Sequence, residues 1–576
     1  MPDRSRRYLM LLMCAFVVYA LFTASHTDLL YDELTYVVGG STAWRNIATG
    51  AFAPEFWSFE FHPPFFMYFL GAGFGAYVLA KAVWVHGAIS LGQLAVDAVH
   101  WIKDDGAQYA FRAPSILAGL IILYLVYRCG ERFLGSRAVG LIAALFLVLW
   151  PPFVGISSVA YLEIGMAVTQ MLAVYFFLGA LQEQSRKKFL LSAFWVGAAA
   201  ASKIFAGVIG VVLVLFMVWL LMLRRDSLAG PFAEARQWLK NPRYLALWLL
   251  IPPLTLYLFW PWLWTEPLIF FKNLATQMTF KGHGFYFGTN ELGHDYYLSY
   301  ILLTTPPPIL LAIFAGLVFL WREQRAFFWL VLFWLLLDVG VISFSQGRHG
   351  GFRHVIPAYS ALAITAGYGT VRTLQRVSRP IRGATIAIGL AWLAWETVRV
   401  APYPLNYFNF LAGSTSQAAE RFVYADAGLG QRPAIEYIDR HAPAGATVWI
   451  WGTKPNAFIY SERADIAKSL EGGPLFTARA SVGFAQNEKI YPVKAFSSGD
   501  LKFRFPYFEK GDANAIRQEM QKEGVDYIVV QRLFSYPGMT DSPGDYEVLR
   551  EIQAQNKPVF VHYIDGVPVS WVYKLP

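Results

Sequence analysis

Charge is scarce in this sequence, and cysteine is scarcer. Asp, Glu, Lys and Arg together make up only 15% of the residues, against roughly a quarter in typical soluble domains. With 56% hydrophobic residues and a mean hydropathy of +0.40 over 576 residues, this excludes an ordinary soluble globule and points to a polytopic α-helical membrane protein. The two cysteines, Cys14 and Cys129, fall near expected cytoplasmic helix ends, so neither a disulfide framework nor a cysteine metal site follows. Phosphate-binding P-loops, dinucleotide fingerprints, internal repeats and low-complexity tracts are also missing, which argues against nucleotide-binding machinery and solenoids. The net charge of +9 does not call for nucleic acid, because the bases gather in short loops between hydrophobic runs. The expected partner of this surface is the bilayer.

What is present is a succession of apolar runs. A first helix over about residues 8–24 follows Arg4, Arg6 and Arg7 and lacks a small-residue cleavage site, so it reads as retained with a cytoplasmic N-terminus. The loop 25–110 is acid-bearing and base-poor, and belongs outside the cytoplasm; its part 65–101 either crosses twice or lies along the interface. Further helices are expected over 111–127, to about 154, and from 164 toward the basic Arg186-Lys187-Lys188. The run 189–223 is too long for one span of about 20 residues and divides near Ser202-Lys203. A helix over 244–264 contains two proline-bearing breaks, and four more spans end near residues 321, 344, 371 and 400. The count is 11 crossings, or 13 if the first loop dips through the membrane.

From residue 401 the composition becomes that of a soluble α/β or α+β domain. A helix over 429–441, a strand over 446–451, a helix over 512–523, a strand over 525–530 and a hairpin over 558–573 are expected. The chain therefore divides into a transmembrane region, 1–400, and an extracytoplasmic region, 401–576.

The ionisable residues that this topology places at the outer face form the candidate site. Asp32 and Glu33 stand where a membrane helix meets water, and His62-Pro63-Pro64 makes a turn that returns the chain to the surface near them. Glu163, Lys203, Lys281, Arg353 and His354 lie at the same face, where charge bias disfavours bases. Carboxylates and bases at one depth suit an anionic, lipid-borne substrate: bases hold a phosphate while a carboxylate takes a proton from an attacking hydroxyl. Plainer structural roles stand beside these. Asp32 and Glu33 are also what a helix carries in its first turn, Lys203 is also a snorkelling helix-end lysine, and His62 is also a packed turn residue. His283, His294 and Asp295 lack the tight spacing of a zinc site, and no metal ligands are assigned. Tyr286, Tyr296 and Tyr297 read as interface-belt aromatics.

At this point the sequence resembles a family, the GT-C superfamily of membrane glycosyltransferases, within it the protein O-mannosyltransferase and lipid A aminoarabinose transferase branch. The matching motifs are Asp32-Glu33, His62-Pro63-Pro64, Phe111-Arg112-Ala113-Pro114-Ser115, Ala201-Ser202-Lys203, Phe352-Arg353-His354-Val355-Ile356-Pro357 and Pro404-Leu405-Asn406-Tyr407-Phe408-Asn409. They span roughly residues 1–440, each weak alone and more specific in their order. The resemblance implies that Asp32 is the catalytic carboxylate, with Glu33 beside it, and that Lys203 and Arg353 help bind the lipid phosphate of a polyprenyl-phosphate-linked monosaccharide donor. Glu163 departs from the pattern, since related enzymes often carry aspartate in that turn. Asp426-Ala427-Gly428-Leu429-Gly430-Gln431 is similar to a short element of bacterial members. The expected activity is inverting transfer to an acceptor hydroxyl of a protein, lipid A, polysaccharide or glycolipid, at the outer face of a bacterial inner membrane. No cofactor is required on this reading, a divalent metal being the one candidate. The alternative is a transporter or flippase of lipid-linked sugars, for which repeat symmetry and midplane helix breaks would be the signs.

Overall fold

The structure is a computed structural model that describes residues 4–52, 62–87, 101–222, 238–279, 293–345, 351–424, 428–452, 512–535 and 543–576, with residues 94, 98, 235, 459–461, 463, 495–498 and 501–504 between them. Its first half is helical. Helix α1 (Arg4–His26) leads through four residues into α2 (Tyr31–Thr49), where a loop is expected from sequence, and α3 (Phe65–His86) follows the proline turn. Then come α4 (Asp105–Arg132), α5 (Arg137–Val148), α6 (Pro151–Ser157), α7 (Leu162–Glu183) and α8 (Arg186–Ser202). A 3-10 turn over Ile204–Gly207 separates α8 from α9 (Val208–Met222), so the long run divides at Ser202-Lys203 as its length requires.

Helix α10 (Pro242–Phe259) keeps Pro252 and Pro253 inside it, and only the second expected break, after Trp260-Pro261, is real; α11 (Trp262–Thr265) and α12 (Ile269–Thr279) follow. The remaining helices of this region are α13 (Tyr296–Leu303), α14 (Pro307–Glu323), α15 (Arg325–Phe344), α16 (Ile356–Gln375) and α17 (Arg379–Val400).

Seven of the described helices are long and apolar enough to cross a membrane, and nine spans result if two bent pairs each count once. The bends are 72° between α5 and α6 and 116° between α13 and α14, and both fall at prolines, Pro151-Pro152 and Pro306-Pro307-Pro308. Helices α8, α16 and α17, of 17 to 22 residues, bring further length but fall outside that set. Helix α7 is the central one, with 83% of its apolar window buried against 28% for α1.

Small residues let the site-bearing helices approach closely. A Cβ on Gly40 of α2 would stand 1.9 Å from the Met67 carbonyl oxygen of α3, and one on Gly71 would stand 2.4 Å from the Gly40 carbonyl carbon. Helix α4 begins at Asp105, six residues before the expected start at Phe111, because Pro114 does not end it. Proline 114 removes the donor for the Ala110 carbonyl, and that carbonyl lies where a Cβ on Gly73 would be, 2.4 Å away.

Among the described residues the strands all follow residue 446. The sheet runs β2 (Ala495–Ser498), β3 (Leu501–Arg504), β1 (Thr447–Trp451), β4 (Tyr527–Gln531), β6 (Val567–Lys574), β5 (Phe560–Ile564), with β1 parallel to β3 and β4 and the other pairs antiparallel. Alternation assigns its two faces. Val448, Ile450, Tyr527 and Val529 join the large cluster with Ala434, Ile435 and Ile438 of α19 (Gln431–His441), which follows the short α18 (Thr415–Arg421). Trp449, Trp451, Ile528 and Val530 face α20 (Ala513–Glu523) and α21 (Pro543–Gln555). This is a three-layer α/β/α arrangement, and its α19 face shares one continuous apolar cluster with the helical body.

Replacing Gly40 by Val is expected to drive α2 and α3 apart at a cost of about 1–3 kcal/mol. A melting temperature equal to wild type in detergent would contradict the backbone contact.

Candidate functional site

The site is built at the start of α2. Asp32 and Glu33 both lie in its first turn, where exposed amides and the helix dipole favour acids. Successive helical residues point about 100° apart, and the two carboxylates separate accordingly. Glu33 turns inward and is fully buried. Its Oε1 accepts from Arg112 Nε at 2.8 Å and the Ala160 amide at 2.7 Å, and its Oε2 from Arg112 Nη2 at 2.7 Å and the Leu30 amide at 2.9 Å. Arg112, equally buried, uses its remaining donors on the carbonyls of Ala24 at 2.6 Å, Thr27 at 3.0 Å and Asp28 at 3.1 Å. Glu33 therefore holds a base and ties α2 to α1 and α4, and its lone pairs are committed to that task.

Asp32 turns to the other side and is partly open. Arg353 Nη1 donates to its Oδ2 at 2.5 Å. Arg353 sits in the 3-10 turn Phe352–Val355 ahead of α16, and its guanidinium lies 4.9 Å from the Tyr161 ring centre. Glu163, in the first turn of α7 and fully buried, joins the other bases. Its Oε1 accepts from Lys203 Nζ at 2.8 Å and lies 3.6 Å from His354 Nδ1 and 3.9 Å from Arg353 Nε. Its Oε2 is buried with no hydrogen-bond partner among the described residues. Lys203 is only 6% exposed and occupies the extended residue that ends α8, so the helix break aims its ammonium inward rather than to the membrane surface.

Asp32, Glu163, Lys203, Arg353 and His354 thus come together from four segments. His62 stands at the margin, its ring 6.4 Å from that of Tyr36, whose ring is in turn 6.4 Å from Tyr161. Tyr297 meets His354 edge-on at 6.2 Å. Lys281 and His283 lie outside the described residues. His294 is engaged elsewhere, its Nδ1 3.0 Å from the Ser343 carbonyl and its ring stacked on Phe344. Among the described residues no three His, Cys, Asp or Glu side chains are grouped as metal ligands.

Two features escape a reading of the sequence for site residues. Beneath Glu163, two turns along α7, Gln170 Nε2 donates to Asp338 Oδ1 at 3.0 Å and to the Ala206 carbonyl at 3.2 Å, while Trp334 Nε1 donates to Gln170 Oε1 at 3.0 Å. The signal was an acid inside the apolar run of α15, and a charge there calls for a partner. The second is Asp28, whose Oδ2 accepts from the Arg432 amide at 3.3 Å. Burial pushes its carboxyl up from the ordinary range to about 6, against the opposing pull of the Arg432 and Gly430 amides and the Arg432 and Arg112 charges.

Fold and site together define a polytopic membrane protein whose mixed-charge centre lies where its helical body meets an α/β/α region. Residues 91–238, which include Arg112, Glu163 and Lys203, match the family model described as dolichyl-phosphate-mannose-protein mannosyltransferase. The resemblance to GT-C membrane glycosyltransferases is met by that match. Among solved structures, the chain is similar to ArnT from Cupriavidus metallidurans in the apo state, with 12% identity, a TM-score of 0.49 and coverage of 99% of this chain and 98% of that one. The same protein bound to undecaprenyl phosphate gives 15% identity, a TM-score of 0.48 and 98% of each chain. The oligosaccharyltransferase of Archaeoglobus fulgidus gives 14% identity, a TM-score of 0.43 and 97% of this chain against 74% of that one. No curated protein sequence matches the chain.

Two measurements check this geometry. Arg112→Ala strands a buried Glu33 and should cost about 3–5 kcal/mol of stability, with Glu33→Gln milder; equal, small shifts in melting would contradict the buried pair. For Asp28 the folded pKa lies above the ordinary value, so its protonated form is favoured by folding, and stability from this group is present at low pH and lost as pH rises through about 6. From pH 5 to pH 8, wild type should lose on the order of 1 kcal/mol relative to Asp28→Asn, most of the remainder being lost already between the unfolded pKa and pH 5. A pH-independent difference in melting temperature between the two would contradict the assignment.

Proposed function

We propose that this protein is an inverting glycosyltransferase, moving a monosaccharide from a polyprenyl-phosphate carrier to an acceptor hydroxyl at the extracytoplasmic membrane face. The observation that carries the reading is the convergence of Arg353 and Lys203 on Glu163, beside the partly open Asp32 carboxylate. The family whose model residues 91–238 match is described by a lipid-phosphate-linked sugar, which accords with it. Charge bias of the loops supports an outer-side location for these residues and for the region after residue 401.

In the proposed step the acceptor oxygen bonds to the anomeric carbon while the bond from that carbon to the phosphate oxygen breaks. The electron pair stays on the departing polyprenyl phosphate, and the hydroxyl proton passes to Asp32. The phosphate gains a negative charge, which Arg353 and Lys203 stabilise as it forms. Arg353 now donates to Asp32, so phosphate binding would draw the guanidinium away and leave the carboxylate able to take a proton. Glu163 holds Lys203 in place through Oε1 and has Oε2 to accept a sugar hydroxyl. The chemistry as written balances without a resident cofactor. The acceptor class, whether protein, lipid A, polysaccharide or glycolipid, would be read from cells with and without the protein, as a missing single-sugar increment in the mass spectra of glycolipids and envelope glycoproteins.

With the donor so identified, single-turnover transfer by purified protein tests the roles. Asp32→Asn should still bind donor while turnover falls by roughly 100-fold or more. Arg353→Lys should weaken donor binding, because an ammonium cannot reproduce the two-pronged contact of a guanidinium. Transfer by Asp32→Asn at the wild-type rate would sink the catalytic assignment and favour a transporter of lipid-linked sugar.

A further inference from the structure

The segment 27–30, which leads into the first turn of α2, is gripped from two sides. From within, Arg112 donates to the carbonyls of Thr27 and Asp28. From outside come residues of the C-terminal region. The Asp28 carboxylate sits over the N-terminus of α19, accepting from the amide of Arg432 at 3.3 Å, with the Gly430 amide also hydrogen-bonded to it. Unpaired amides and the helix dipole favour a negative group there. The next residue, Leu29, donates its amide to the Tyr460 hydroxyl. Around these contacts, Arg432 lies over the Tyr460 ring at 5.3 Å and reaches Asp105 of α4 at 3.7 Å, and Lys103 donates to the Ser461 carbonyl at 3.2 Å.

The glycines of residues 428–431 have their reason in this junction. Gly428 and Gly430 adopt φ of 106° and 80°, in the left-handed region. A Cβ on Gly430 would also stand 2.5 Å from Val569 Cγ2, so the residue that presents its amide to Asp28 has no room for a side chain.

Burying a carboxylate is costly, and the groups that face Asp28 offset the cost only in part: Arg432 and Arg112 attract it, while Tyr403 and Tyr460 lie close by on the other elements. A charge held at such a cost is best explained by what it fixes. Three residues separate Asp28 from Asp32, and Leu30 among them is the residue from which α2 begins.

We infer that Asp28 is a positioning residue for transfer: by seating on α19 it clamps the segment 27–30 and so sets Asp32 against Arg353, which makes the C-terminal region a working part of the site. The inference rests on the reading of Asp32 as the base. Tyr460 is the second jaw of the same clamp.

The test uses the full-length protein in detergent, comparing Asp28→Ala, Asp28→Asn and Tyr460→Phe with wild type and Asp32→Asn. Asp28→Ala should lower kcat roughly 10-fold or more with the donor KM within about 3-fold, since a displaced base slows chemistry more than binding. Asp28→Asn keeps an acceptor for the two amides and should restore most of the rate. Hydrogen exchange over residues 27–34 should quicken in Asp28→Ala and Tyr460→Phe and stay as wild type in Asp28→Asn. Wild-type kcat and exchange in Asp28→Ala would overturn the clamp, as would equal impairment of Ala and Asn variants with KM rising in step. If Asp28→Ala does not fold, Tyr460→Phe decides by the same two readouts. An active Asp32→Asn would instead refute the base, and exchange would still settle whether the clamp exists.

Discussion

The ion pair between Glu33 and Arg112 is the constraint on which the site depends. Both groups are wholly removed from solvent, and their charge would be prohibitive there if either lone pairs or N–H groups were left over. They are not: the carboxylate also accepts from two backbone amides, and the guanidinium also donates to three carbonyls between Ala24 and Asp28. One arginine on α4 thereby joins the end of α1, the connecting segment and the beginning of α2. Asp32 occupies its place because its neighbour in sequence is immobilised. Well-packed apolar residues often do as well energetically as a buried pair, but they carry no directional bonds with which to gather four backbone segments.

Electrostatically the adjoining cluster is poised for an anion. Two carboxylates, Asp32 and Glu163, face Lys203 and Arg353, so the formal charges cancel before the neighbouring histidine is considered. Each base already lies close to a carboxylate, and on the function proposed above an arriving phosphate would compete with Asp32 for one of them. On that proposal, binding and activation of the base would be the same event. That coupling needs Arg353 to be only partly buried, as it is, because a fully enclosed guanidinium could not exchange partners without first being rehydrated.

The sequence displayed the ingredients of this arrangement better than their connections. Asp32, Lys203 and Arg353 could be singled out because each breaks a rule of composition: acids at a membrane edge, a base at a helix interruption, a base on a face that bias leaves acidic. The division at Ser202-Lys203 followed from span length, and the strands over 446–451 and 525–530 from their short apolar runs. Arg112 was visible only as part of a motif at a supposed helix start. Its partner lies 79 residues away, and no local pattern relates the two. Helix α2 was hidden for a different reason, since Gly39, Gly40, Ser41 and Thr42 lower both its hydropathy and its helical propensity, and its close fit against α3 supplies what propensity does not. Helix α21 was missed for want of a strong apolar stripe, its inward residues being few: Val548, Leu549 and Ile552.

The buried trio of Gln170, Trp334 and Asp338 bears on how the chain is assembled in the bilayer. An aspartate at depth in an isolated helix is penalised by about 2.5–3.5 kcal/mol on insertion scales, so α15 enters lipid at a disadvantage while it is alone. The donor that rescues it, the Gln170 amide, stands on α7, made 168 residues earlier and already threaded when the ribosome delivers Asp338. Trp334, one turn ahead on the same helix, brings the indole that completes the contact. The order of synthesis therefore matches the order of need: the amide is in the membrane before the carboxyl that requires it, and the late helix has a polar socket to find rather than a bare hydrocarbon wall.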